Sequence, residues 1–591
     1  GGWYDKDDQL VPESEIFERY RDEVVARSGV RFFHDDGPLH DGHTPEAAVV
    51  FLDRDITFTV DDEAEARSYV DEDPQFSVAS QTAFGEWQVT RKAGAQVRVP
   101  RRATLNRRIG GLFPTDFDPA RWGVPASMLD SIDPIAVWNL VSAVDAFVSA
   151  GFSPAELLRF IHPADLACTQ GTGFGGMRSM HKLFVDRFLG EEYPQDILQE
   201  TLPNVVAAHT MQSYIGGYGS MINPVGACAT AAVSIEEGVD KIAAHKADFV
   251  VAGAIDDIQV ESIVGFGSMN ATANSQELLD RGISPHFVSR ANDRRRGGFV
   301  EAQGGGTVLL TRASVAVEMG LPVLAVVAHA QTFADGAHTS IPAPGLGALA
   351  VARGGASSPL ARSLAALGVG VDDVAFVSKH DTSTNANDPN ESDLHTRVGR
   401  ALGRSAGNPL LVVSQKTLTG HAKGGACVFQ VGGIIDAFRS GVIPANIALD
   451  CVDDKMEQYS LLVWLRSPLD LSARGPVRAA FATSLGFGHV SGFLALVHPG
   501  AFEAVVEREA GPEALARWRS ASDARLRAGS RHFEMGMLGH APLFEPVDAR
   551  RLPDDPALGA AGDPHEVEAQ MLLDPRARLG ADGYYHLPDQ Q

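Results

Sequence analysis

A turn made almost wholly of small residues, Pro224-Val225-Gly226-Ala227-Cys228-Ala229-Thr230, heads a run whose apolar positions 229, 232, 233, 239, 242 and 243 recur at helical spacing. The run stops before Ala247-Asp248-Phe249-Val250-Val251-Ala252, which reads as a buried strand. A helix that leads into a strand without polar alternation needs packing on both faces of a sheet, and the surrounding pattern is α/β. Cys228 stands at the helix N-terminus, beside unpaired backbone N–H groups and the positive end of the helix dipole. Both favour the thiolate, the nucleophilic form of cysteine. The stretch alone fits a small apolar cysteine in a helix cap equally well.

The α/β pattern runs from Ile109 to about Arg312 and starts again from about Leu321. The expected division is an appended N-terminal region 1–110, core halves 111–318 and 319–500, and a C-terminal extension 501–591. Gly-Ala-Cys opens a helix in each half, and roughly 65 to 80 residues later a Gly-rich turn feeds an apolar closing strand. The reading is a duplicated core. Gly265 to Ala273 reads as a loop with Phe266 and Met269 as pocket candidates, and beyond Pro499 charged helical residues give way to a Pro- and Asp-rich tail expected to wrap the surface.

Gly171-Thr172-Gly173-Phe174-Gly175-Gly176 lies between a strand pattern and a helical one, with Glu191 and Glu192 beyond it. This is the best argument for a dinucleotide-binding rival. The acidic pair falls in a polar loop and not at the end of a second strand, and a Gly-rich turn also simply lets backbones pass closely.

Composition removes other classes. With 75 Asp+Glu against 50 Lys+Arg, neither nucleic acid nor an anionic membrane is expected as the main partner. The basic run Arg91 to Arg108 is expected to pair internally or to receive an acidic domain. No apolar run reaches the about 18–20 residues of a membrane span; Pro134 to Phe152 is broken by Asn139, Ser142 and Asp145. Four cysteines without C-x-x-C argue against a disulfide framework or zinc site, and no metal is expected. The N-terminus is acidic and starts Gly-Gly, so a cytoplasmic protein cut from something longer is expected.

Three sites lie at strand-to-loop transitions of the second half: His380-Asp381-Thr382-Ser383-Thr384, Lys416-Thr417-Leu418-Thr419-Gly420-His421, and Leu485-Gly486-Phe487-Gly488-His489. Catalytic groups collect at the C-terminal ends of strands in α/β folds. Two histidines and a lysine in that placement turn the balance at Cys228 towards chemistry. Asp388-Pro389-Asn390-Glu391 before Leu394, Val398 and Leu402 has the form of a capping-box helix start, so both carboxylates are assigned to structure, with any hold on the histidine loop indirect.

These motifs, in this order over about residues 110–500, resemble the ketoacyl synthase (β-ketoacyl-acyl carrier protein synthase) part of type I fatty acid synthases of the fungal and mycobacterial kind. Leu10-Val11-Pro12-Glu13-Ser14 also looks like that multienzyme. Two departures stand out: Asp381 follows His380 where stand-alone members usually have Gly, and His489 follows Gly488 where a second Gly is common. The first fits the type I branch.

The resemblance implies a thiolase-like fold, layered α-β-α-β-α, and a homodimer within a larger oligomer with other synthase domains as partners. It implies decarboxylative condensation of an acyl group on Cys228 with malonyl thioester delivered by an acyl carrier protein. Cys228 would be the nucleophile, with its own N–H and that of Phe487 as the oxyanion hole, set in the gating turn with Gly486 and Gly488. His380 and His421 would stabilise the enolate, Lys416 would hold them, and Thr382 and Thr384 would be structural near the site. Phosphopantetheine would arrive on the carrier; CO₂ loss supplies the carbanion, so no further cofactor is implied. A thiolase would carry a second cysteine at Leu485 to His489, and a cysteine hydrolase would need one His with an orienting Asp or Asn. A non-catalytic structural or dimerisation segment of the multienzyme is the remaining alternative.

Overall fold

The computed structural model describes residues 3–5, 7, 9–33, 43–114, 117–189, 192–336, 346–547, 569 and 572–587. The chain forms two compact units: 33–108, and 1–32 together with 109–591. The region expected as one appended piece, 1–110, is therefore divided. Val30–Phe32 pairs antiparallel with Ile109–Gly111 inside the larger unit, and 33–108 is an insertion between these two strands.

In the smaller unit, Trp87–Arg91 is the central strand between Ile56–Val60 and Ser77–Gln81, both antiparallel to it. Helix Glu63–Glu72, capped by Asp62, packs Ala66 against Val60 and Val89. His43–Phe51 and Gln96–Thr104 make a separate antiparallel ribbon. Arg91, the first residue of the basic run, is internal: it donates to Ser77 Oγ at 3.0 Å and to the Gln96 carbonyl at 2.9 Å. The Arg102 side chain lies outside the described residues.

The larger unit runs α1 (Pro134–Ala150), β1 (Leu166–Cys168), α2 (Thr230–Ala243), β2 (Phe249–Asp256), α3 (Val260–Ser268) and β3 (Gly304–Thr311). It continues with β4 (Val326–Ala334), α4 (Pro359–Ala366), β5 (Val374–Ser378), α5 (Asn387–Ala401), β6 (Leu410–Val413) and α6 (Ala426–Ser440), then β7 (Leu462–Trp464), β8 (Ala479–Gly486), β9 (Val490–Val497) and α7 (Pro512–Met537). One sheet has the order β1-β2-β3, the other β4-β9-β8-β5-β6-β7.

Helices α2 and α6 lie between the sheets and touch both; α1 and α7 pack on the far side of the first sheet, α4 and α5 on that of the second. This is the expected five-layer order. Strand alternation explains it. In β2, Phe249 and Val251 point to the outer cluster around α1, while Val250, Ala252 and Ala254 point to the inner cluster around α2 and α6. In β8, Ala480 and Ala482 join that inner cluster, and Ala479 and Phe481 the outer one beneath α5. Residues buried on both faces cannot alternate apolar with polar, which is why these strands read as continuous apolar runs.

The duplication is visible in the pairing. β1 runs parallel to β2, which is antiparallel to β3; β5 runs parallel to β8, which is antiparallel to β9. Among the described residues no helix is long and apolar enough to cross a membrane. Beyond Pro499 the helical expectation is met by Gly500–Ala510 and α7, whose Trp518 Nε1 donates to the Leu321 carbonyl at 3.0 Å. Most of the Pro- and Asp-rich tail expected to wrap the surface (548–568) lies outside the described residues.

Candidate active site

The Cys228 turn is a single 3-10 turn, Ala227–Ala229, that runs straight into α2. Ala227 takes a left-handed φ of 47°. Thr230 Oγ1 closes the turn by donating to the Ala227 carbonyl at 2.7 Å and accepting from the Gly226 amide at 3.0 Å. Ser484 Oγ on β8 donates to the Cys228 carbonyl at 2.8 Å, and the Phe487 amide is near enough to the Cys228 sulfur to favour its thiolate. Gly486 must lack a side chain here, because a Cβ would lie 2.4 Å from the Gly226 carbonyl oxygen and 3.3 Å from the Cys228 amide nitrogen. Gly488 provides the left-handed φ of 81° that turns β8 into β9.

The thiolate expected at this helix start is not the resting form. Cys228 is only 5% exposed. Burial pushes its thiol up to about 11; Lys416, Lys423 and the Phe487 amide pull it back only in part, and Asp256 adds to the rise. Loss of hydration penalises a bare thiolate more than these charges and the helix start favour it.

His380 follows β5, and its loop is held from several sides. Its amide and that of Asp381 donate to Glu391 Oε1 and Oε2 at 2.5 and 2.9 Å. Lys416 Nζ donates to the His380 carbonyl at 2.6 Å and lies 3.2 Å from His380 Nδ1. An ammonium is only a donor, so Nδ1 accepts and the ring proton of His380 sits on Nε2. His421 is fixed through its backbone, with its amide on the Val300 carbonyl at 2.7 Å, and its ring stands edge-on to Phe299 with centroids 5.2 Å apart. Burial first, then the neighbouring Lys416, holds both imidazoles well below their ordinary range, so both are neutral.

Residues from both halves of the core thus meet. One donor atom each from Cys228, His380 and His421 lies within 4.8 Å of the others, and the two rings stand at 88° with centroids 5.0 Å apart. They line a cavity of about 280 Å³ together with Met269, Thr382, Thr384 and Phe487. Phe266 sits on helix α3 and not in the expected loop, behind that wall. It stacks on Phe487 at 5.7 Å and meets Phe299 edge-on at 5.2 Å.

Asp388 and Glu391 do not cap a helix. α5 begins at Asn387 after Ala386, which makes no side-chain cap, and both carboxylates are buried within its first turns. Glu391 holds the histidine loop directly, against the expectation of an indirect role. Burial raises its carboxyl, but the neighbouring His395, whose Nε2 lies 3.9 Å from Glu391 Oε1, and the Lys379 charge bring it down to about 2. Asp388 accepts the Asn292 amide at 2.8 Å, and burial followed by the nearby Asp381 carboxylate pushes it up to about 7.

The Gly-rich loop has a different occupant from the one its pattern advertises. The Gly173 and Phe174 amides and the Thr172 hydroxyl donate to Asp256 at 3.0, 3.2 and 2.8 Å, and Gly424 adds its amide at 2.6 Å. These amides bind a carboxylate of the chain itself. Glu191 lies outside the described residues, and Glu192 is exposed. Asp256, Lys379 and Gln430 were not singled out from the sequence. Asp256 and Lys379 carry one available signal, a charged residue at the C-terminal end of an apolar strand; Gln430, which donates to the Ser378, Lys379 and Thr483 carbonyls, carries none.

Both departures from the family pattern share a backbone state. Asp381 has φ 35° and His489 φ 68°, left-handed conformations that glycine adopts without strain. The His489 carbonyl accepts the Asp335 amide at 3.0 Å, so the turn keeps its shape without a second glycine.

Residues 77–316 match the family description "Beta-ketoacyl synthase, N-terminal domain", and residues 324–450 match "Beta-ketoacyl synthase, C-terminal domain". Fatty acid synthase 2 of Mycosarcoma maydis is 32% identical over 596 residues, 99% of this chain and 15% of that protein. The fatty acid synthase subunit alpha of Saccharomyces cerevisiae is 29% identical over 673 residues, 98% of this chain and 35% of that one. The chain therefore spans well under half the length of these curated relatives. The crystal structure of the noncanonical ketosynthase FabY from P. aeruginosa superposes with a TM-score of 0.78 at 22% identity, covering 92% of this chain and 84% of that one, a likeness of fold. With the Cys228 turn inside the first matched domain, and His380, Lys416 and His421 inside the second, the chain belongs to the β-ketoacyl synthase family.

Proposed function

We propose that the chain is the β-ketoacyl-acyl carrier protein synthase of a type I fatty acid synthase. The observation that carries this reading is the meeting of Cys228, His380 and His421 in one buried cavity, with the Phe487 amide at the sulfur.

In the first half-reaction the Cys228 sulfur attacks the carbonyl carbon of a carrier-bound acyl thioester, giving its proton to a neutral pocket imidazole. The Cys228 and Phe487 amides receive the negative charge of the tetrahedral oxygen. The bond to the carrier sulfur breaks, and that sulfur leaves with the proton. In the second half-reaction malonyl thioester loses CO₂: the bond to the carboxylate breaks and its electron pair becomes an enolate. His380 Nε2–H and the His421 ring stabilise the enolate oxygen, with Lys416 holding His380 in that tautomer. The carbanion then attacks the acyl carbonyl on Cys228, the C–S bond breaks, and the thiolate takes one proton from solvent, the proton that the net decarboxylative condensation consumes.

Phosphopantetheine enters on the carrier, and the residues named supply the rest of this chemistry. The cavity lining holds Cys228 and no second cysteine among the described residues, which favours condensation over a thiolase reaction. The other partners are the remaining synthase domains and a second copy of the chain. Exposed Tyr218, Met221, Ile222 and Val225, just ahead of the nucleophile turn, support that homodimer. The cytoplasm is the compartment this reading implies. Intact mass after incubation with an acyl thioester tests the assignment: a single acyl adduct lost in Cys228→Ala is expected, and no adduct on the parent chain would leave a non-catalytic segment as the better reading.

A further inference from the structure

We infer that Lys379 and Asp381, the two neighbours of His380, form a buried ion pair whose work is to position that histidine, and that Asp381 is a positioning residue of the site. This rests on the synthase reading above.

The pair lies behind the histidine, in the interior of the larger unit. Both side chains are fully buried, and Lys379 Nζ meets Asp381 Oδ1 at 2.6 Å. Lys379 Nζ also donates to Asn292 Oδ1 at 3.2 Å, Ser392 Oγ at 3.0 Å and the Asp388 carbonyl at 3.3 Å. Asp381 Oδ2 accepts from Asn292 Nδ2 at 2.7 Å and from Ser414 Oγ at 2.5 Å. His380 is thus clamped between residues anchored on α5, on the end of β6 and on the segment carrying Asn292. Its own imidazole is left to face the cavity.

The backbone shows that the aspartate is not a passive filler. Residue 381 stands at φ 35°, where an L side chain is strained and glycine is not. An aspartate there has to be held by interactions that outweigh the strain, and its carboxylate has three: Lys379, Asn292 and Ser414. The carboxylate also balances charge in the buried cluster behind His380. Without it Lys379 would keep only Glu391, which also accepts the His380 and Asp381 amides, and Asp388, whose own carboxylate is shared with Arg296 at 3.5 Å and the Asn292 amide. Removing one partner of a buried pair leaves an uncompensated charge, which relaxes by moving the chain that carries it. Here that chain is the one on either side of His380.

Asp381→Gly separates the two possible roles, because glycine satisfies the backbone and removes the carboxylate. The expected result is acyl loading on Cys228 within about twofold of the parent and malonyl decarboxylation slower on the order of 10²-fold, the usual penalty for a reacting group misplaced by about 1 Å. In the double variant Lys379→Met/Asp381→Gly the thermal transition should return towards that of the parent, since one charge of each sign is removed and the net charge of the buried cluster is kept, while decarboxylation stays slow. Parental decarboxylation in Asp381→Gly, or its full return in the double variant, would overturn the inference. A parallel fall of loading and decarboxylation that tracks the thermal transition would do so too. The ¹³Cε1 resonance of His380, assigned by its loss in His380→Ala, gives a readout independent of activity. Broadening or splitting in Asp381→Gly supports positioning, and an unchanged line refutes it. A parent chain that neither loads acyl groups nor releases CO₂ sinks the synthase reading and leaves this resonance to decide the present one.

Discussion

Ala227 and Lys423 stand at the same left-handed φ of 47°, each begins a 3-10 turn, and each turn runs into a helix between the two sheets, Thr230–Ala243 and Ala426–Ser440. The duplicated core therefore makes one backbone device twice. In the first copy the next residue is Cys228, whose sulfur borders the cavity. In the second it is Gly424, where a Cβ would lie 2.7 Å from Asp256 Oδ2 and 2.9 Å from the Gly173 nitrogen. The Gly424 amide binds Asp256, and Lys423 makes a buried ion pair with Glu301 at 3.1 Å. A helix start offers free amides and a fixed outlook in both halves; what fills the space in front decides between chemistry and structure. Open space leaves a cysteine facing the cavity, and a carboxylate wrapped in a Gly-rich loop leaves a clamp.

The comparison breaks first at the sulfur. Cys228→Ala should abolish acyl loading and elongation while some CO₂ release from malonyl thioester persists, followed by intact mass and by trapped CO₂. Full elongation in that variant would mean that the two turns do not differ in their chemistry. Next in size is His421→Ala: loading stays measurable and CO₂ release falls by about 10²–10³-fold, the loss typical of one donor to a developing oxyanion. The reverse pattern would place a single Cys–His pair at the centre of the site.

Stability tests the second copy. Gly424→Ala drives a methyl group into Asp256 and the Gly173 backbone, and overpacking of that kind costs about 1–3 kcal/mol, read from the denaturant midpoint. Ala227→Gly at the matching φ of 47° should stay within about 1 kcal/mol of the parent, because glycine gains in the left-handed region what it loses in chain entropy. Equal effects of the two would erase the contrast.

The smallest effect is alkaline. The Cys228 thiol is raised from 9.0 to about 11, so the folded form keeps a proton that the unfolded chain begins to release near pH 9. The associated stability is intact below pH 9 and is lost as pH rises through about 11. Cys168 and Cys427, raised to about 12, add the same sign. Between pH 9 and 10 Cys228→Ala should lessen the alkaline loss by up to about 1.4 kcal/mol, the value of one pKa unit. A loss of stability that begins near pH 7 would point to other groups.

What the sequence by itself determined was whatever rests on neighbours in the chain. Helical spacing after Cys228, unbroken apolar strands at Phe249 and Val374, and motifs placed at strand ends located the Cys228 turn, the histidine and lysine loops and the doubled core. A periodicity records which faces are buried, so it survives without knowledge of partners. Tertiary structure decided everything that depends on what stands opposite. The capping pattern at Asp388 and Glu391 is a valid local signal, yet Glu391 turns back to the His380 and Asp381 amides, and only the packing of α5 under that loop reveals it. The Gly-rich loop could serve any anion, and the fold brought Asp256 to it from the end of β2. The 33–108 insertion was invisible because its flanks, Val30–Phe32 and Ile109–Gly111, pair across it. The resting state of Cys228 went the same way: the helix start argued for thiolate, but desolvation is set by the whole enclosure of the sulfur, and that enclosure is assembled from both halves of the chain.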